Sequence, residues 1–119
     1  MKRILSLAAV LAVAATTVFA VVAYAGSSSA TGTSVKVTAK DTFRFTLSRT
    51  SAPHGKVSFV VTNKGRLRHD FAIVGKKTKM LGHNQIATLT VTLTKGKHQY
   101  KCTVPGHAAA GMKGTFRAT

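Results

Sequence analysis

The chain has 119 residues, 18 Lys plus Arg against two Asp and no Glu, a formal charge of +16 at pH 7, and one cysteine. That length supports a single domain with a modest core and is too short for two. One thiol excludes an internal disulfide, and the absence of a Cys-x-x-Cys pair excludes a thioredoxin-like redox site, a Cys-x-x-Cys-His haem attachment and a paired-cysteine zinc site.

The amino end, MKRILSLAAVLAVAATTVFAVVAYA, carries Lys2 and Arg3, then an apolar run, then Ala23 and Ala25 flanking Tyr24. This is the tripartite pattern of an export signal, with cleavage expected after Ala25. The rival reading is an uncleaved anchor helix, because residues 4 to 25 are about as long as the roughly 20 residues that cross a bilayer. Either way the working domain lies outside the cytoplasm, in the periplasm, in the medium or tethered to the outer face of the cytoplasmic membrane. Loss of Lys2 and Arg3 with the leader takes the net charge from +16 to +14. Such a surplus implies attraction to acidic proteins or anionic lipid surfaces. Nucleic acid is not expected: beyond the leader the cations are scattered singly, only Lys76 and Lys77 being adjacent, with no recognition motif or aromatic stacking series.

Residues 26 to 34, GSSSATGTS, are small and polar and read as a flexible tether. The domain proper is expected over 35 to 119. There the periodicity is two: VKV at 35 to 37, FRFTL at 43 to 47, VSFVV at 57 to 61, HDFAIV at 69 to 74, ATLTVTL at 87 to 93, HQYKC at 98 to 102 and GTFRAT at 114 to 119. Turn signals such as Lys40-Asp41, Pro53-His54-Gly55, Asn63-Lys64-Gly65 and Lys95-Gly96 separate them. Seven or so short strands with turns every eight to twelve residues predict an all-β Greek-key sandwich, with Leu89, Val91 and Leu93 packed against Phe59, Val61, Phe71 and Ile73.

Alternation along a strand puts His69 on the inward face with Phe71 and Ile73, and Cys102 inward with Tyr100. If these strands are antiparallel neighbours, the start of one meets the end of the other, and His69 meets Cys102 at one pole. Beyond Cys102 the chain offers His107 and Met112 within a loop that Gly106 and Gly111 allow to fold tightly. Singly, a strand cysteine reads as a small buried hydrophobe and a methionine as packing. A thiolate, two imidazoles and a thioether together form the donor set of blue-copper electron-transfer sites, whereas zinc favours more thiolates or carboxylates and calcium wants oxygen. His54 and His83 sit in turns and His98 at the solvated end of its strand, so surface roles are expected for all three; Met80 reads as packing, and Tyr100 and Phe71 as core aromatics.

The segments VTNKGRLRHDFAI and YKCTVPGHAAAGMKGTF give the chain a resemblance to the cupredoxins, the small exported blue copper proteins. The resemblance covers essentially the whole domain and implies His69, Cys102 and His107 as strong equatorial copper ligands and Met112 as a weak axial one. The Cys-x4-His-x4-Met spacing is similar to that of auracyanin and rusticyanin and longer before the histidine than plastocyanin's. Asp70 departs from the Asn common after the first histidine in plastocyanin-like members. It reads either as a surface acid or as a brace that accepts bonds from the Thr103 hydroxyl or amide and ties the two ligand segments together.

The resemblance implies a monomeric one-electron carrier with one type 1 copper ion and no substrate turnover. An acidic redox protein such as a cytochrome or oxidase domain would dock on an apolar patch around His107. The alternative is copper delivery or storage. A nitrite reductase or multicopper oxidase would need further histidine pairs that this chain lacks.

Overall fold

The computed structural model describes residues 32 to 119. The expected signal or anchor, and most of the expected tether, lie outside the described residues. Among those described there are nine strands and no helix. They are β1 (Gly32–Lys40), β2 (Arg44–Leu47), β3 (Ser51–Ala52), β4 (Gly55–Asn63), β5 (Ala72–Ile73), β6 (Lys76–Lys77), β7 (Ile86–Leu93), β8 (Gly96–Lys101) and β9 (Lys113–Ala118).

One sheet runs β2-β1-β4-β7 and the other β3-β9-β8-β5-β6. Neighbours such as β1 with β4 and β9 with β3, both parallel, are distant in sequence, so the chain crosses between sheets as a Greek-key sandwich requires. β1 starts at Gly32, inside the expected tether, because Gly32, Thr33 and Ser34 pair with Lys56, Val57 and Ser58 of β4. Each sheet turns one face inward. Val35 and Val37 of β1, Val57, Phe59 and Val61 of β4, and Val91 and Leu93 of β7 meet Ile73, Tyr100, Phe116 and Ala118 of the opposite sheet. Leu89 is only partly buried at the margin of this core.

The strand expected over 69 to 74 is reduced to Ala72–Ile73, paired with Tyr100 and Lys101 of β8. His69 instead forms an isolated antiparallel bridge with Leu81. The two-residue strands β3 and β6 carry no alternation that a sequence could display. Val74 and Gly75 turn β5 into β6 with positive φ of 48° and 73°, the geometry of a two-residue hairpin loop.

At the centre Phe71 stacks on Tyr100 with ring centroids 5.3 Å apart, and Phe45 and Phe59 pack on its other sides at 5.3 and 5.1 Å. Tyr100 in turn lies across Gly114, its pairing partner on β9. A Cβ at Gly114 would sit 3.0 Å from Tyr100 Cε2 and closer still to the phenol end. Gly114→Ala is therefore expected to displace the tyrosine and cost about 1–3 kcal/mol, read as a lowered denaturant midpoint; an unchanged midpoint would mean that the ring has room to move.

Candidate metal centre

Antiparallel pairing of β5 with β8 brings the segment that precedes β5 beside the residue that follows β8. His69 and Cys102 meet there, both inside the protein at 0% and 1% exposure. The segment carrying His69 is fixed by buried Asn63, whose Nδ2 donates to the Leu67 and Leu81 carbonyls at 2.8 Å each, while its Oδ1 accepts from the Gly65 amide at 2.9 Å. Leu81 then holds His69 through two backbone bonds of 3.1 and 2.8 Å.

The loop from Thr103 to Met112 folds over the same pole. Gly106 and Gly111 take φ of 82° and 114°, which a side chain would resist. The Cys102 amide donates to the Met112 carbonyl and the Met112 amide to the His107 carbonyl, each at 3.0 Å. Three donor-bearing residues are thus linked backbone to backbone, so none can shift without the others. Met112 is fully buried and packs with Cys102 and Ala39 in a small cluster flanked by Phe43, Phe45 and Val104.

Donor atoms of His69, Cys102 and His107 lie within 4.8 Å of one another. Cys102 Sγ is 3.6 Å from His107 Nδ1 and 4.0 Å from His69 Nδ1, and the two Nδ1 atoms are 3.2 Å apart. Ring nitrogens facing each other at that distance share either a proton or a cation. Burial pushes the Cys102 thiol up, so its proton leaves most readily in exchange for a positive ion. Burial, helped by the neighbouring His69 imidazole, lowers His107 and keeps it in the neutral form that binds metal. One sulfur and two imidazole nitrogens suit copper.

Copper binding proteins of the plastocyanin/azurin family form the family model that matches residues 29 to 118. The chain belongs to that family. As a cupredoxin it shares its fold with reduced auracyanin from the photosynthetic bacterium Roseiflexus castenholzii, at a TM-score of 0.66 and 20% identity over 73% of this chain and 97% of that one. It likewise resembles reduced rusticyanin, at a TM-score of 0.63 and 22% identity over 75% and 80% of the two chains. A curated relative, the copper-resistant cuproprotein CopI of Vibrio cholerae serotype O1, is 30% identical over 103 residues. That match spans 66% of this chain and 60% of the relative's length.

Asp70 of this cupredoxin is buried at 1% exposure. Its Oδ1 accepts from the Thr103 amide at 2.6 Å and its Oδ2 from the Thr103 hydroxyl. The residue after the first histidine is thereby tied to the residue after the cysteine. Asp70 is thus an inward-facing acid bonded to Thr103, not an exposed one. The remaining histidines lie away from the centre, each on a carbonyl: His54 on Thr119, His83 on Gly65 and His98 on Thr94, at 2.8, 2.9 and 2.7 Å.

Two contributors escape the sequence. Asn63 reads there as part of a turn, and Asp41 likewise. Yet Asp41 Oδ1 accepts from His69 Nε2 at 3.0 Å, and the same carboxylate takes the Arg66 and Leu67 amides at 2.7 and 3.1 Å. The Arg66 amide first, then the His69 ring, hold the Asp41 carboxyl below the usual carboxylate range. The available signal was scarcity: a chain with 18 cations places both of its acids at this one pole.

Proposed function

We propose that the protein is an exported one-electron carrier, not an enzyme, that holds a single copper ion through His69 Nδ1, Cys102 Sγ and His107 Nδ1, with the Met112 thioether as a weak axial donor. The observation that carries this reading is the convergence of one thiol and two imidazole nitrogens within 4.8 Å at a buried pole. Bound copper supplies a Cu(I)/Cu(II) couple. The chain's own part is to keep the donors still: Asp70 locks the two ligand segments together, and the Cys102–Met112–His107 backbone bonds lock the loop. Donors that move little when the charge changes keep reorganisation small, which favours rapid transfer. The leader pattern supports export, and a monomer suffices because one chain supplies every donor.

His107 is half-buried, beside exposed Pro105, Ala109 and Ala110. This apolar rim is the proposed docking patch for an acidic redox protein such as a cytochrome or oxidase domain. All Lys and Arg of the described residues are exposed, and among those residues neither acid pairs with any of them. The positive field is therefore uncompensated, and it also suits an anionic membrane surface. Association with an acidic cytochrome is expected to slow steeply as salt rises and the Debye length falls from about 30 Å at 0.01 M to about 8 Å at 0.15 M. Stopped-flow electron transfer measures this, and a rate indifferent to salt would remove the steering role.

A second reading is copper handling, favoured by the likeness to a copper-resistance protein. Cyclic voltammetry of the copper-loaded protein, followed by challenge of the reduced form with a mild chelator, separates the two. The carrier reading expects a reversible one-electron wave and copper retained in both states; release on reduction would favour handling.

A further inference from the structure

The turn joining β1 to β2 and the first residue of β2 touch the centre in three places. Asp41 accepts from His69 Nε2. Phe43, held at a φ of 57°, sets its ring edge-on to His107 with centroids 5.0 Å apart. Arg44 Nη1 donates to the Ala110 carbonyl of the ligand loop at 3.2 Å. The turn supplies no donor to the metal, so its contacts act on the donors.

We infer that Asp41 is the positioning residue that fixes the tautomer and orientation of His69 and places a compensating negative charge behind it. An ionised carboxylate can only accept. The Nε2 contact therefore requires the ring proton on Nε2, which leaves the Nδ1 lone pair aimed at Cys102 Sγ and His107 Nδ1, 4.0 and 3.2 Å away. A carboxylate serves here and a carboxamide does not, because three N–H donors converge on both oxygens: Leu67 and His69 on Oδ1, Arg66 on Oδ2. An Asn would turn its own NH2 group against the Arg66 amide or against Leu67 and His69. In the second orientation it would pull the ring toward the Nδ1–H tautomer, which blocks the metal-facing nitrogen.

Gly65 gives the carboxylate its space. A Cβ there would run into the Asp41 side chain and lie 3.0 Å from the Asp41 amide nitrogen. Gly65→Ala thus offers a way to push the carboxylate off His69 while leaving its charge in place. Asp41→Asn removes the charge while leaving the bulk.

The inference rests on His69 being a metal ligand, and its test begins where no metal is needed. Nitrogen NMR of the metal-free full chain is expected to show His69 protonated on Nε2, with that preference weakened in Asp41→Asn and lost in Gly65→Ala. A His69 ring protonated on Nδ1 in the parent protein, or the same tautomer in all three proteins, would overturn the role of Asp41 whatever the metal does. In the copper-loaded proteins, each variant is expected to bind copper about 10–100-fold more weakly. Asp41→Asn alone should raise the midpoint potential, since loss of a nearby negative charge favours the reduced ion. A potential unchanged in Asp41→Asn would contradict the charge role. Binding equal to the parent in both variants would contradict the positioning role. A parent protein that shows the expected tautomer yet binds no copper would leave Asp41 orienting His69 and overturn the function proposed above instead.

Discussion

Cys102→Ser is expected to abolish the intense visible absorption of the copper-loaded protein and to weaken copper binding by more than the roughly 10–100-fold that loss of an outer supporting residue costs. The physical reason is specific to sulfur. A thiolate is a soft, polarisable donor to copper, and its charge transfer to the metal produces the colour; an alcohol stays protonated near neutral pH and donates weakly. The substitution is nearly isosteric, and the backbone bond from the residue 102 amide to the Met112 carbonyl does not depend on the side chain. The fold should therefore survive, and a normal far-ultraviolet dichroism spectrum is the control. Copper titration followed by absorption and electron paramagnetic resonance makes the measurement. A serine variant that keeps the band and the affinity would remove Cys102 from the centre.

The largest effect on stability is expected at Phe71. It is fully buried and touches Phe45, Phe59 and Tyr100, so it joins aromatic side chains of both sheets. Truncation to alanine leaves a cavity whose aromatic walls cannot all collapse inward, and the expected loss is about 3–5 kcal/mol. Phe71 also lies two residues beyond His69, so the same change should loosen the histidine and broaden the copper spectrum of whatever fraction remains folded. Denaturant unfolding of the metal-free protein isolates the packing contribution. A loss below about 1 kcal/mol would mean that the four rings are not the keystone of the sandwich.

Long strands were legible because their period is physical. β4 and β7 bury alternate side chains along nine and eight residues, and the alternation stands in the sequence as Val57, Phe59, Val61 and Val91, Leu93. The short strands left no such trace. β5 is cut to two residues because His69 bridges to Leu81 and the Asp70 carboxylate turns to Thr103, contacts made across 12 and 33 positions of the chain. Phe43 reads as the first residue of a strand, yet a positive φ puts it in the turn, where its ring reaches His107 instead of continuing the β2 face.

His69, Cys102, His107 and Met112 could be singled out because each carries chemistry that the rest of the chain does not need. Asp41 and Asn63 could not. Asp41 meets His69 across 28 positions and Asn63 meets Leu81 across 18, so their roles exist only after the sheets have formed. In sequence both look like ordinary turn residues, which in part they are.

Copper-edge X-ray absorption of the copper-loaded full chain tests most directly whether one thiolate and two imidazoles hold the ion. Two nitrogen neighbours and one short sulfur neighbour are expected, the sulfur contribution vanishing in Cys102→Ser. A copper ion surrounded by nitrogen and oxygen alone, identical in the parent and the serine variant, would contradict the assignment.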